Sequence, residues 1–194
     1  QKTAYEITYG DWSSNVCSSD LGAPGFRYEW LPGAREMVDD ERIAADYDGV
    51  VVLDGDATRL MKPVARAFAA ARWTGLVDHH RSTSVDGYTI SWLEPRCEST
   101  CVMVRRLFAA WGVPLSAEVA QHLYTGLIFD TGAFPYSNTR PESHLLAAEL
   151  LRFGIEHHRI CERVLMDRRL PGLKLHARVL DSARFIAQNR IAIR

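Results

Sequence analysis

The chain has 194 residues, 47% of them apolar and 24% charged, with a formal net charge of −1. That length suits one domain with a substantial core. The near-zero charge argues against binding nucleic acid as a bulk polyanion, and no apolar run approaches the ~20 residues a membrane helix needs.

Residues 11–21, DWSSNVCSSDL, show no periodicity. They match ten of eleven positions of DWSSDVCSSDL, one frame of a common sequencing adapter, with Asn15 in place of Asp. Residues 1–21 are therefore expected to be non-native and stand outside fold reasoning. Residues 25–31 read as an extended segment closed by the turn pair Pro32-Gly33. Asp48-Gly49 introduces Val50, Val51, Val52 and Leu53, a β-branched run expected to be a strand buried on both faces; it ends at Asp54. Residues 63–72 are Ala-rich and helical, with Pro63 in the first turn. Residues 73–77 form a second strand that ends at Asp78, and residues 88–92 a third.

The rest is helical. Ser99 or Thr100 caps a helix carrying Val104, Leu107, Phe108 and Trp111 at i, i+3, i+4, i+7, stopped by Gly112 and Pro114. Ser116 caps the next, with Val119, Leu123 and Leu127 on one stripe. Pro141 starts a third and Gly154 ends it. Residues 155–165 and 173–185 read as further helices, and 191–193 as a strand. The cysteines, Cys17, Cys97, Cys101 and Cys161, form no C-x-x-C pair; a structural or incidental role and a reducing cytoplasm are the simplest expectations. Strand–helix–strand spacing predicts a parallel α/β sheet, whose strand carboxyl ends carry the site.

Asp78-His79-His80 stands at such an end. Three metal-capable side chains in a row, where an apolar strand runs out, rarely serve packing. Asp54 and Asp130, at other element ends, can complete a ligand set. Carboxylate with imidazole suits Mn²⁺, Fe²⁺ or Zn²⁺, and the lack of clustered thiolates argues against structural zinc. Adjacent strand side chains face opposite ways, so His79 and His80 have different jobs, one on metal and one toward substrate or a proton. Asp78 can orient an imidazole from behind. His157-His158 reads as a surface pair.

VVVLD at 50–54, VDHH at 77–80 and GLIFDTGAFPYSNT at 126–139 together resemble the DHH phosphoesterase family. The likeness is to the bacterial oligoribonuclease and phosphoadenosine-phosphate phosphatase branch, and it spans residues 25–194. It implies an α/β fold, a Rossmann-like parallel sheet flanked by helices. It further implies two-metal hydrolysis of phosphoester bonds, with Mn²⁺ as the favoured ion. By the resemblance Asp54 bridges the two metals, and His79 and Asp130 are metal ligands. His80 contacts the scissile phosphate with Asp78 as its supporting carboxylate. Ser137, Asn138 and Thr139 form a loop near the substrate. The implied substrates are short oligonucleotides or small nucleotides, including cyclic or linear dinucleotides, with no membrane partner and a homodimer left open.

The sequence departs from the family pattern at both ends. Asp54-Gly55-Asp56-Ala57 spells part of the first motif, H-x-x-P-D-G-D-A-x-G-S. It lacks the preceding His and Pro, and it stands 24 residues before the triplet, a second-motif distance. The spelling is read as coincidence, so the first motif and the C-terminal substrate domain are expected to be absent. Residues 22–194 would then be a partial domain, weak or inactive alone, from an active parent. The competing class is a non-catalytic nucleotide- or metal-binding module. Within enzymes, a manganese pyrophosphatase shares the triplet, and a RecJ-like exonuclease is a further relative.

Overall fold

A computed structural model describes residues 27–34, 47–60, 62–182, 184–186 and 191–193. The adapter-like stretch at 1–21 lies outside the described residues. The elements run β1 (Gly49–Leu53), α1 (Lys62–Ala70), β2 (Trp73–Asp78), β3 (Ile90–Leu93), α2 (Thr100–Ala110), α3 (Ala117–Thr131), α4 (Pro141–Leu151), α5 (His157–Cys161), α6 (Leu170–Asp181), β4 (Arg184–Ile186) and β5 (Ile191–Ile193).

The expected α/β architecture is present. β1, β2 and β3 form one parallel sheet in that order, while β4 and β5 make a separate antiparallel pair. Leu53 pairs with Val77, and the Asp54 amide donates to the Val77 carbonyl at 3.0 Å. The carboxyl ends of β1 and β2 are thus neighbours, which brings Asp54 beside Asp78. β2 is the central strand and is buried from Thr74 to Asp78. One polar side chain in it, that of Thr74, donates to the Gly87 carbonyl and accepts from the Thr89 amide, while the Thr74 amide donates to the Thr89 hydroxyl. Those bonds also pin the connection 79–89, which returns the chain to a parallel β3 without the usual crossover helix.

The main core lies where α2, α3 and α4 pack beside β2. Met103, Leu127, Ile128 and Leu150 are fully buried there, with Val77, Leu123 and Leu146 around them. Ser99 caps α2 by accepting from the Cys101 amide, and Ser116 caps α3 through the Val119 amide. Pro141 opens α4 at a position that has no use for its missing N–H. α3 stops at Gly132, whose φ of 59° is left-handed. A Cβ there would come within 2.5 Å of the Tyr136 ring and would sit on a left-handed backbone, so a substitution is strained and must displace that ring. Arg105 on α2 grips Glu149 on α4 through two nitrogens, at 2.6 and 3.1 Å.

Several expectations change. Residues 27–30 are turns, closed by the Leu31 amide on the Tyr28 carbonyl, not an extended segment. Val51 remains 42% exposed although Val52 is buried, so β1 is not covered on both faces; among the described residues it is an edge strand of a three-strand sheet. The third strand begins at Ile90 because Tyr88 and Thr89 complete the turn after Gly87. The helix expected over 155–165 divides into α5 and a π turn at Glu162–Met166. The helix expected over 173–185 begins earlier, with Pro171 in its first turn, and stops at Asp181, after which Arg184–Ile186 pairs with β5. No helix among the described residues is long and apolar enough to cross a membrane.

Candidate metal centre

Asp54, Asp78, His79 and His80 gather where β1 and β2 end. Each offers one ligand atom within 4.8 Å of the others. Asp130, on the last turn of α3, enters from the helical side, its Oδ2 3.9 Å from His79 Nε2. His79 Nε2 also lies 3.5 Å from Asp54 Oδ1. The five predicted residues are therefore together, contributed by two strand ends and one helix end.

They are not equivalent. Asp78 is fully buried and both its oxygens are engaged. Oδ1 accepts from the amides of His79 and His80 and from His80 Nδ1, at 2.7, 3.2 and 2.7 Å, while Oδ2 accepts from the Thr83 hydroxyl. Burial pushes its pKa up, but those hydrogen bonds outweigh burial and the net shift is downward. A carboxylate so committed orients its neighbours and has little left for an ion. His80, half-exposed, has its pKa raised by the hydrogen bond to Asp78. With Nδ1 tied to Asp78, its Nε2 is the free edge.

His79 has the opposite arrangement. Its Nδ1 lies 3.1 Å from the Cys97 carbonyl, which can only accept, so that nitrogen carries the proton. Nε2 is left with a lone pair, the state of a metal-ligating imidazole. It is buried and has no hydrogen-bond partner, and neither does Asp130 Oδ2. The 3.5 and 3.9 Å separations are too wide for good hydrogen bonds. Burial and then the charge of Asp54 push the Asp130 carboxyl up to about 6. A buried lone pair facing two carboxylates is an arrangement that a divalent cation relieves, since it satisfies the nitrogen and cancels the like charges. The residues present thus fit a divalent ion.

Asp54 adopts φ 57°, a left-handed conformation that Asp tolerates better than most residues. Its Oδ1 also accepts from the Thr100 hydroxyl at 2.7 Å. Asn138 leaves its Oδ1 buried without a hydrogen-bond partner. Its Nδ2 donates to the carbonyls of Asp130 and Glu98, both at 3.0 Å, and so fastens the loop after α3 to the start of α2. The Thr139 hydroxyl is buried without a partner, and Ser137 is exposed. That loop is conformationally unusual, because Ala133 and Phe134 follow Gly132 with φ of 60° and 77°.

Sequence reasoning missed the residues behind the ligands. Of the two expected caps, Ser99 or Thr100, it is Ser99 that caps α2, and the Thr100 hydroxyl is left for Asp54. The Cys97 carbonyl and buried Glu98 carried no signal, since their partners lie 18 and 45 positions away; Thr83 meets Asp78 from only five residues on, but a lone Thr in a turn has no pattern of its own.

No protein-family model matches the chain. It is 34% identical over 109 residues to the bifunctional oligoribonuclease and PAP phosphatase NrnA of Thermus thermophilus, covering 56% of this chain and 33% of that protein. To the Bacillus subtilis protein of the same name it is 24% identical over 146 residues, covering 74% and 44%. An exopolyphosphatase-related protein from Bacteroides fragilis superimposes with a TM-score of 0.73 at 26% identity, covering 83% of this chain and 50% of that one. The chain spans between about a third and a half of the length of these relatives. At modest identity, these likenesses agree with the α/β fold described above and relate the chain to proteins named as phosphatases and oligoribonucleases.

Proposed function

We propose that this chain carries the metal-binding part of a divalent-metal phosphoesterase that acts on small nucleotides or short oligonucleotides. The observation that carries the reading is the buried pair of unsatisfied atoms, His79 Nε2 and Asp130 Oδ2, facing Asp54. His79 and Asp130 are assigned as ligands of one ion, with Asp54 shared toward a second. A bound divalent ion would supply Lewis-acid polarisation of a phosphoryl oxygen and of the attacking water. His80, held on Asp78, would present Nε2–H to a phosphate oxygen, where its raised pKa favours the charged donor. Asp78 keeps that ring oriented. Ser137, Asn138 and Thr139 line the substrate side of the loop, Asn138 by holding its backbone. Mn²⁺ is the proposed ion; nitrogen and oxygen ligands permit it. The names of the curated relatives support the substrate class.

The test is to titrate the 194-residue chain with Mn²⁺ and follow both metal binding and thermal unfolding. Binding at about 100 times the dissociation constant should add ~2.7 kcal/mol of stability. Asp130→Asn should abolish most of that gain. Hydrolysis of phosphoadenosine phosphate and of short oligonucleotides is expected to be weak and to require the metal. A chain whose unfolding is indifferent to Mn²⁺, Mg²⁺ and Zn²⁺ would refute the metal reading.

A further inference from the structure

Residues 97–100 bond to several parts of the site. The Cys97 carbonyl accepts from His79 Nδ1 at 3.1 Å. The Glu98 carbonyl accepts from Asn138 Nδ2 at 3.0 Å. The Ser99 hydroxyl caps α2 by accepting from the Cys101 amide at 3.1 Å. The Thr100 hydroxyl donates to Asp54 Oδ1 at 2.7 Å. Four consecutive residues thus hold the imidazole, the Asp54 carboxylate, the loop after α3 and the start of α2. Something must hold these four in turn, because a backbone carbonyl orients a ring only as well as the backbone is fixed.

Glu98 supplies that anchor. It is 1% exposed, though glutamate is rarely so buried without a partner. Its Oε1 accepts from the Ser143 hydroxyl at 2.9 Å, and Ser143 is itself fully buried in the first turn of α4 and accepts from the Arg140 amide. Its Oε2 lies 3.8 Å from the Cys97 thiol. None of these atoms faces the ligands, and a carboxyl placed only for packing would be replaced at lower cost by an apolar side chain.

We infer that Glu98 is a positioning residue: through Ser143 it locks segment 97–100 onto α4, and the locked segment fixes His79 in the Nδ1–H form with Nε2 bare before any ion arrives. This rests on the metal reading for its purpose but not for its geometry. The site is preformed, and its ligand tautomer is set by a residue that never meets the ion.

The experiment compares Glu98→Ala, Glu98→Gln and Arg105→Ala in the full chain. The tautomer of His79 is read in the metal-free protein by long-range ¹H–¹⁵N NMR, Mn²⁺ affinity by electron paramagnetic resonance, and stability by thermal unfolding. Glu98→Ala should leave His79 as a mixture of tautomers and weaken Mn²⁺ binding about 10- to 100-fold, the usual effect of losing an outer partner of a ligand. Glu98→Gln keeps an acceptor for Ser143 and should restore the Nδ1–H form and most of the affinity. Arg105→Ala removes the α2–α4 ion pair away from the ligands; it should lower stability and leave both readouts unchanged. If Glu98→Ala does not fold, Ser143→Ala replaces it with the same expectation. A single unaltered His79 tautomer in Glu98→Ala, or equal loss in Arg105→Ala, overturns the inference. If the unaltered chain binds no Mn²⁺, the metal reading falls and the tautomer alone decides the role of Glu98.

Discussion

α3 and α6 are helices of similar length, 15 and 12 residues, with opposite surroundings. α3 buries eight residues, from Ala120 to Thr131, and its last turn delivers Asp130. α6 buries none; Leu170, Leu175 and Leu180 are each more than 60% exposed. Helices of this length are marginal alone and owe their stability to packing. A side chain that must sit within a fraction of an ångström of other ligands therefore belongs on a helix such as α3. The difference locates precision in this molecule: it lies in the packed block of β2, α2, α3 and α4.

The largest expected effect tests that block directly. Leu127→Ala, at a fully buried position of α3, should destabilise the chain by about 2–5 kcal/mol in urea unfolding. A cost below ~1 kcal/mol would mean that α3 is no firmer than α6. Next is the contact between α2 and the ligands. Thr100→Val keeps the shape and removes the hydroxyl that donates to Asp54, which should weaken Mn²⁺ binding by roughly 1–2 kcal/mol with little change in unfolding. Isothermal titration measures it, and an unchanged affinity would remove Thr100 from the site.

A smaller effect is expected at the rim. Asp56 accepts from the amides of Thr58 and Ser84, and these bonds lower its pKa below the ordinary 3.8. A depressed carboxylate stabilises the fold above its unfolded pKa, and this contribution fades as pH falls through the lower folded value. The stability difference between the unaltered chain and Asp56→Asn should therefore be largest near neutrality and shrink below about pH 4. Solvent screening keeps it to a fraction of a kcal/mol. Unfolding midpoints across that range decide it, and a gap that widens in acid would be the wrong sign. The smallest effect is Leu175→Ala on α6, expected within about 0.5 kcal/mol. A loss approaching that of Leu127→Ala would show that the two helices are packed alike.

The parts of this arrangement that the sequence reveals are those with local signatures. β-branched runs ending in Asp54 and Asp78 mark strand ends, and parallel pairing makes such ends neighbours. The stripe of Val119, Leu123 and Leu127 marks the helix that carries Asp130. The holders have no such signature. Cys97 contributes a carbonyl, which is the same in every residue. Glu98 meets Ser143 across 45 positions, and Thr100 meets Asp54 across 46. Val51 misleads because a valine run looks alike in a central strand and at an edge. The residues around Gly87 mislead because β propensity extends through Tyr88 while the turn consumes it. α6 shows how a leucine-rich periodic stretch can be predicted as a helix without its burial being predicted at all.

The left-handed backbone of Asp54 has a practical meaning for dissecting the centre. Most replacements there change two things at once, the charge and the torsional comfort of the chain. Asn shares the tolerance of Asp for that conformation, so Asp54→Asn alters electrostatics while leaving the bend after β1 undisturbed. Ala at the same position adds a torsional penalty to the lost carboxylate. Measured side by side, the pair separates how much of the site depends on a negative charge and how much on the shape of one kinked residue.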